Sequence, residues 1–162
     1  MVNKKIESEL EGKKAPAIKL KNQNGQDFSL KDHLGSYVLI YFYPKDNTPG
    51  CTKEACSIKD NLKKFKNFNF KVFGISPDDE KRHLNFIEKY KLNFDLLCDT
   101  EQKVANSYGV WVQKNMYGKK YMGVQRDSFL IDPKGKIVKH YKKVKPETHI
   151  LDVLNDLKSM EV

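Results

Sequence analysis

Cysteine is scarce in this chain of 162 residues, and its count is odd: Cys51, Cys56 and Cys98. Three cysteines do not build the disulfide framework of a small secreted domain. No Cys-x-x-Cys occurs, so the spacing of a plain dithiol exchanger is missing. No second compact cysteine pair accompanies Cys51 and Cys56, and a closed zinc site commonly needs one; no metal is expected. Arginine is nearly absent, with only Arg82 and Arg126 among 30 basic residues. The formal charge of +9 therefore comes from lysines scattered from Lys4 to Lys158. Without an arginine cluster or a recognition fold, that charge reads as a solvated surface with no specific nucleic-acid partner. The longest apolar run, Tyr37 to Tyr43, is far too short to cross a bilayer. The opening MVNKKIESELEGKK lacks the apolar centre of a signal peptide. A cytoplasmic location away from membranes is the expectation. Repeats, linkers and low-complexity segments are missing too, and the length is that of one domain with a real core.

What is present alternates between strand and helix patterns. Residues 1–14 are polar without a clear period and are expected to form a flexible or weakly ordered arm ahead of a single domain over 15–162. Asn24-Gly25, between AIKLK and DFSL, predicts a short hairpin. YVLIYFY at 37–43 fits a strand buried on both faces, ended by Pro44. Residues 45–50 are loop by composition. Ala55, Ile58, Leu62 and Phe65 recur at helical spacing. A strand at 71–76, a helix starting near Asp78-Asp79-Glu80, a short strand at 94–98 and a helical stretch around Val104, Ala105 and Tyr108 follow. DSFLID and KIVKHY are strands joined by a Pro133-Lys134-Gly135 turn. Ile150, Leu151, Leu154 and Leu157 mark a closing helix. Alternating elements with a late hairpin predict a three-layer α/β domain with a mixed central sheet, an order compatible with a thioredoxin-like fold.

The informative stretch is FYPKDNTPGCTKEAC, residues 42–56. Cys51 falls where a loop turns into a helix. The first N–H groups of a helix have no partner within it and, with the helix dipole, favour an anion such as a thiolate. Thr48 is placed to donate to the sulfur or to a bound peroxide oxygen, and Pro44 and Pro49 stiffen the loop. His33, His83, His140 and His149 are distant in sequence, so the base that a cysteine hydrolase needs is not at hand. A peroxidase needs none: it needs a thiolate, donors that polarise the O–O bond, and a thiol to restore the sulfenic acid. Cys56 supplies that thiol. Five residues on a helix mean a rise of about 7.5 Å and a rotation of roughly 140°, too far for a disulfide. A Cys51–Cys56 bond therefore requires the first turns to unwind. Cys98, ending an apolar strand, reads as core, and Asp46 is expected to face solvent.

PKDNTPGC matches the Pro-x-x-x-Thr-x-x-Cys signature of peroxiredoxins. The chain from about Ala15 onward, with GVW at 109–111 and RDSFLID at 126–132, resembles the bacterioferritin comigratory protein, or Q-type, subgroup. The resemblance implies a peroxidatic Cys51, a resolving Cys56, a peroxide-binding Thr48, a shielding Pro44 and a guanidinium from Arg126 beside the sulfur. It implies hydrogen peroxide and organic hydroperoxides as substrates, no cofactor, thioredoxin or a similar dithiol as reductant, and a monomer. Two other readings stay open: a general thiol-disulfide oxidoreductase, and a non-enzymatic binding module on the same scaffold.

Overall fold

The computed structural model describes residues 9–160. Its centre is YVLIYF, now strand β3 (Tyr37–Phe42), which has a neighbour on each edge. Two earlier strands, β1 (Lys19–Asn22) and β2 (Asp27–Ser29), form the hairpin around Asn24-Gly25, where Gly25 has the positive φ of 75° that the turn requires. Later come β4 (Phe70–Ser76), β5 (Leu96–Cys98), β8 (Ser128–Ile131) and β9 (Ile137–Tyr141). Together they make a seven-stranded sheet in the order β2-β1-β5-β4-β3-β8-β9. The sheet is mixed: β3, β4 and β5 run parallel, while β8 is antiparallel to β3 and β9 to β8.

Alternation along β3 sends its side chains into two cores, as the period of a strand dictates. Val38, Ile40 and Phe42 join Phe73, Ile75, Phe129 and Ile131 on one face. Helix α3 (Lys103–Ser107) and Tyr108 cover that side. Leu39, Tyr41 and Tyr43 enter the other core, roofed by α1 (Pro49–Asn61), α2 (Glu80–Tyr90) and α4 (His149–Met160) through Ala55, Ile58, Phe86, Val153 and Leu157. These are the three layers expected of a thioredoxin-like domain. The predicted helix after residue 50 is α-helical to Asn61 and tightens to a 3-10 turn over Leu62–Phe65, which buries Phe65.

Of the expected arm, residues 1–8 lie outside the described part. Residues 9–14 lie against the sheet. Gly12 N–H donates to the Ile137 carbonyl at 2.7 Å, Lys14 bridges Lys136, and Leu10 packs on the first core. A second sheet, β6 (Trp111–Met116) with β7 (Lys119–Val124), forms a hairpin in a stretch to which periodicity assigned nothing. Its residues are mostly exposed, and Tyr117 at the tip is 98% exposed.

β4 reaches its position because Gly74 has no side chain. A Cβ there would lie 2.8 Å from the Tyr41 ring and 2.9 Å from Leu96. Since both neighbours are fully buried, neither has room to retreat. Gly74→Ala is expected to lower stability by about 1–3 kcal/mol, the cost of overpacking a filled core, read as a lower urea midpoint at constant slope.

Candidate active site

Pro44 has no N–H to donate, so the β3–β4 ladder closes one residue earlier, with Tyr43 N–H donating to the Ile75 carbonyl at 3.1 Å. The chain then loops through Asn47, a non-glycine residue at φ 60°, to Thr48, the N-cap of α1. Pro49 holds the first helical position, where its fixed φ suits the helix. The ladder begins with Thr52 N–H donating to the Thr48 carbonyl at 2.8 Å. Thr48 does not cap the helix with its side chain; its hydroxyl donates to the Lys45 carbonyl at 2.9 Å. The N–H groups of Gly50 and Cys51 therefore open the helix ahead of its ladder, as first-turn donors do. There is no acidic residue in that turn to compete for the positive end of the dipole.

Cys51 sits in this turn, 2% exposed, with its sulfur against the second core. Arg126 lies between β7 and β8 and reaches the first turns of α1. Its Nη2 donates to Cys51 Sγ at 3.5 Å and its Nη1 to Glu54 Oε1 at 2.9 Å. One guanidinium thus bridges the thiol and a buried carboxylate. Gly50 leaves room for this approach, since a Cβ there would stand 3.0 Å from Nη2. The backbone that carries Arg126 is pinned as well. Val144 N–H donates to the Arg126 carbonyl at 2.9 Å. The neighbouring Asp127 accepts from Lys143 N–H at 2.9 Å and pairs with His140 Nε2 at 2.9 Å. Burial alone would push the Asp127 carboxyl up, but the bonds from His140, Lys143 and Gln125 outweigh it and leave it below its ordinary value.

Cys56 lies in the same helix, half-buried, and all three cysteines are free thiols. Burial raises the Cys56 thiol above its ordinary value, with Lys59 opposing. Cys98 is pushed further, to about 12, first by burial and then by the carboxylates of Glu80, Asp79, Asp46 and Asp78. That is the behaviour of a core thiol rather than a nucleophile. It touches a separate cavity along β1 and β2 that Cys51 does not line. Pro44, half-buried, stands at the start of the loop.

Some of the site lies beyond the motif. Glu54, 1% exposed, is one helical turn after Cys51 and shares its face; that spacing was the available signal. Lys114 on β6 is held below its ordinary value, first by burial and then by the repulsion of Arg126, while Cys51 attracts its charge. It lines a cavity of about 480 Å³ with Val112, Tyr121, Arg126 and Lys143. Asp46 does not face solvent: it is buried, bonded to Tyr43 and to His83. The polar composition of its loop suggested exposure, but His83 and Asp78, far along the chain, join the nearby Tyr43 as its partners.

A mixed sheet of this order, with a cysteine in the first turn of the helix after the central strand, defines a thioredoxin-fold protein with a thiol centre. The AhpC/TSA family matches residues 11–140. The Peroxiredoxin Bcp of Bacillus subtilis is 44% identical over 149 residues, covering 92% of this chain and 95% of that protein. The Peroxiredoxin Bcp of Escherichia coli is 44% identical over 144 residues, covering 89% and 92%. Among solved structures, a cysteine variant of Xanthomonas campestris Peroxiredoxin Q superposes with a TM-score of 0.83 at 38% identity, covering 88% of this chain and 91% of that one. Mycobacterium tuberculosis BcpB follows at 0.81 and 31%, covering 92% and 96%. The chain belongs to the AhpC/TSA family and, within it, to the Bcp, or Q-type, peroxiredoxins.

Glu54 carries a measurable consequence. Burial raises its carboxyl from 4.5 to about 7, and the attraction of Arg126 only partly opposes this. Burial dominates because desolvating a carboxylate costs more than one shared guanidinium returns. A carboxyl raised on folding binds more protons in the folded state between those two values, so stability falls as pH rises through that window. Relative to Glu54→Gln, the wild type is expected to lose roughly 3 kcal/mol between pH 4.5 and 7. Denaturant melts of both proteins at several pH values check this; parallel curves would refute it.

Proposed function

We propose that this protein is a thiol-dependent peroxidase for hydrogen peroxide and organic hydroperoxides. One observation carries the reading: the Arg126 guanidinium donates to Cys51 Sγ at 3.5 Å, in the open first turn of a helix that also holds Cys56. Helix dipole and guanidinium both stabilise negative charge on that sulfur. The thiolate attacks one peroxide oxygen; the O–O bond breaks, a cysteine sulfenic acid forms, and the other oxygen leaves as alkoxide or hydroxide and takes up a proton. First-turn N–H groups and Arg126 stabilise the charge that develops on the departing oxygen. The Thr48 hydroxyl, its proton directed at Lys45, offers lone pairs to the proton of a hydroperoxide. Pro44 shields the sulfenic acid.

Cys56 then condenses with the sulfenic acid, forming a disulfide and releasing water. The intact helix keeps the two sulfurs apart, so its first turns unwind for this step. Thioredoxin or a similar dithiol restores both thiols by exchange. The subgroup context supports the substrate: a X. campestris bacterioferritin comigratory protein is described by its alkyl peroxide reduction activity. The protein works as a cytoplasmic monomer; among the described residues no helix is long and apolar enough to cross a membrane.

Purified protein with thioredoxin, its reductase and NADPH tests the reading. Cys51→Ser is expected to abolish peroxide consumption. Cys56→Ser is expected to consume about one equivalent per chain and then stall or overoxidise. Turnover retained by Cys51→Ser would rule out the assignment; sustained turnover of Cys56→Ser would point to another resolving thiol. In hydrogen exchange followed by mass spectrometry, protection across residues 51–60 is expected to fall on oxidation. Unchanged protection would remove the unwinding step.

A further inference from the structure

His83 is 0% exposed, and both of its ring nitrogens are engaged. Nε2 lies 2.8 Å from the Leu97 carbonyl, which can only accept, so Nε2 carries a proton. Nδ1 lies 2.7 Å from Asp46 Oδ2, and these two atoms share one further proton. The other Asp46 oxygen accepts from Tyr43 Oη at 2.5 Å. Asp46 N–H donates to Asp78 Oδ2 at 2.8 Å, and Ser76 Oγ donates to the same oxygen at 2.6 Å. The ligand-type atoms of Asp46, Asp78 and His83 lie within 4.8 Å of one another, as a cation site would need. Each is already committed to a hydrogen bond of this network, so it reads as a fastening.

What it fastens is the loop that presents Cys51. Asp46 is two residues before the N-cap Thr48, and through it the loop is tied to the end of β3, to the segment after β4, and to α2 and β5. Asn47 adds an outer tie, its Oδ1 accepting from Tyr90 Oη at 3.0 Å. Beyond Asn47 the character changes. From Thr48 the chain is held by its own helical ladder, by Arg126 and, further on, by Ala55 and Ile58 in the core; the first two must give way if Cys56 is to reach Cys51. The left-handed Asn47 thus marks a boundary between a fixed part and a part that unwinds.

We infer that Asp46 and His83 form a buried latch that holds the loop in its peroxide-reactive form and sets the balance between that form and the unwound one. Neither residue touches substrate; both are positioning residues. The inference rests on the peroxidase reading. Weakening the latch favours unwinding, with two opposite effects. Attack on peroxide slows, because fewer molecules hold Cys51 against Arg126. Capture of the sulfenic acid by Cys56 gains on a second oxidation, in which another hydroperoxide converts sulfenic to sulfinic acid and leaves as alcohol or water.

The experiment measures single-turnover oxidation of Cys51 and, by mass spectrometry, the ratio of disulfide to sulfinic acid at increasing peroxide. Asp46→Ala is expected to slow attack at least about tenfold, the scale of losing a charged hydrogen bond, and to raise the disulfide share. Asp46→Asn is expected to stay within about threefold of wild type. Its amide N–H can donate to Nδ1 of a neutral His83 while its oxygen still accepts from Tyr43. A general loss of stability would lower the active fraction and leave the product ratio alone. If Asp46→Ala does not fold, Tyr43→Phe carries the test: it removes one bond from Asp46, and the same shift is expected to a smaller extent. Unchanged attack and product ratio in the folded variant, with a wild type that forms the disulfide, would overturn the latch alone. A wild type whose Cys51 ignores peroxide would instead overturn the peroxidase reading.

Discussion

One guanidinium shared between a thiol and a carboxylate sets the terms for the rest of this molecule. Arg126 faces Cys51 and Glu54, two groups with almost no access to water. In the proposed cycle a thiolate and a carboxylate would set two negative charges against one positive charge in a buried site, where each carries a desolvation cost that a single partner only partly offsets. The structure resolves the conflict on the carboxylate side, where burial lifts Glu54 towards neutrality. A protonated Glu54 still accepts from Nη1 and so orients the fork, while drawing less of its charge. More of that charge is then available to the sulfur. The surrounding features serve this geometry: no side chain at Gly50, the Asp127 network under the Arg126 backbone, and no acid in the first turn of α1.

How far this could be read from sequence depended on whether the signal was local. β3 was legible because seven apolar residues in a row leave few choices but a strand buried on both faces. The loop-to-helix transition at Cys51 followed from Pro44, Pro49 and the spacing of Ala55 and Ile58. The place of Arg126 beside the sulfur came from family resemblance, since nothing within reach of residue 51 in sequence points 75 residues ahead. The β6–β7 hairpin was missed for a physical reason. Neither strand buries a full face, so the alternation that marks a half-buried strand is missing. Asp46 was misjudged because a carboxylate in a polar loop is exposed in the ordinary case. Its partners His83 and Asp78 are 37 and 32 residues away, and the β3–β4 pairing together with the turn into α2 brings them back.

The helix that carries both cysteines shows a balance between two demands. It must hold Cys51 at a fixed point, yet the proposed cycle needs its first turns to open. A side-chain cap at Thr48 would add on the order of 1 kcal/mol to the closed form, and the hydroxyl is turned to Lys45 instead. Gly50 near the start contributes no helical preference. Stability in this region comes from tertiary contacts: Ala55 and Ile58 in the core, and the bridge from Arg126 to Cys51 and Glu54.

Those contacts are tied to the chemical state of the sulfur, which gives the opening a cause. A thiolate attracts the guanidinium by charge; a sulfenic acid is neutral and keeps only a weaker hydrogen bond. In the proposed cycle, oxidation by one peroxide therefore removes the charge that held the first turn closed. The ordering follows without an added device. The helix is most secure while the thiolate awaits substrate, and least secure once Cys56 is needed. In that cycle the fixed end at Asp46 confines the motion to the residues after Asn47 and spares the sheet below.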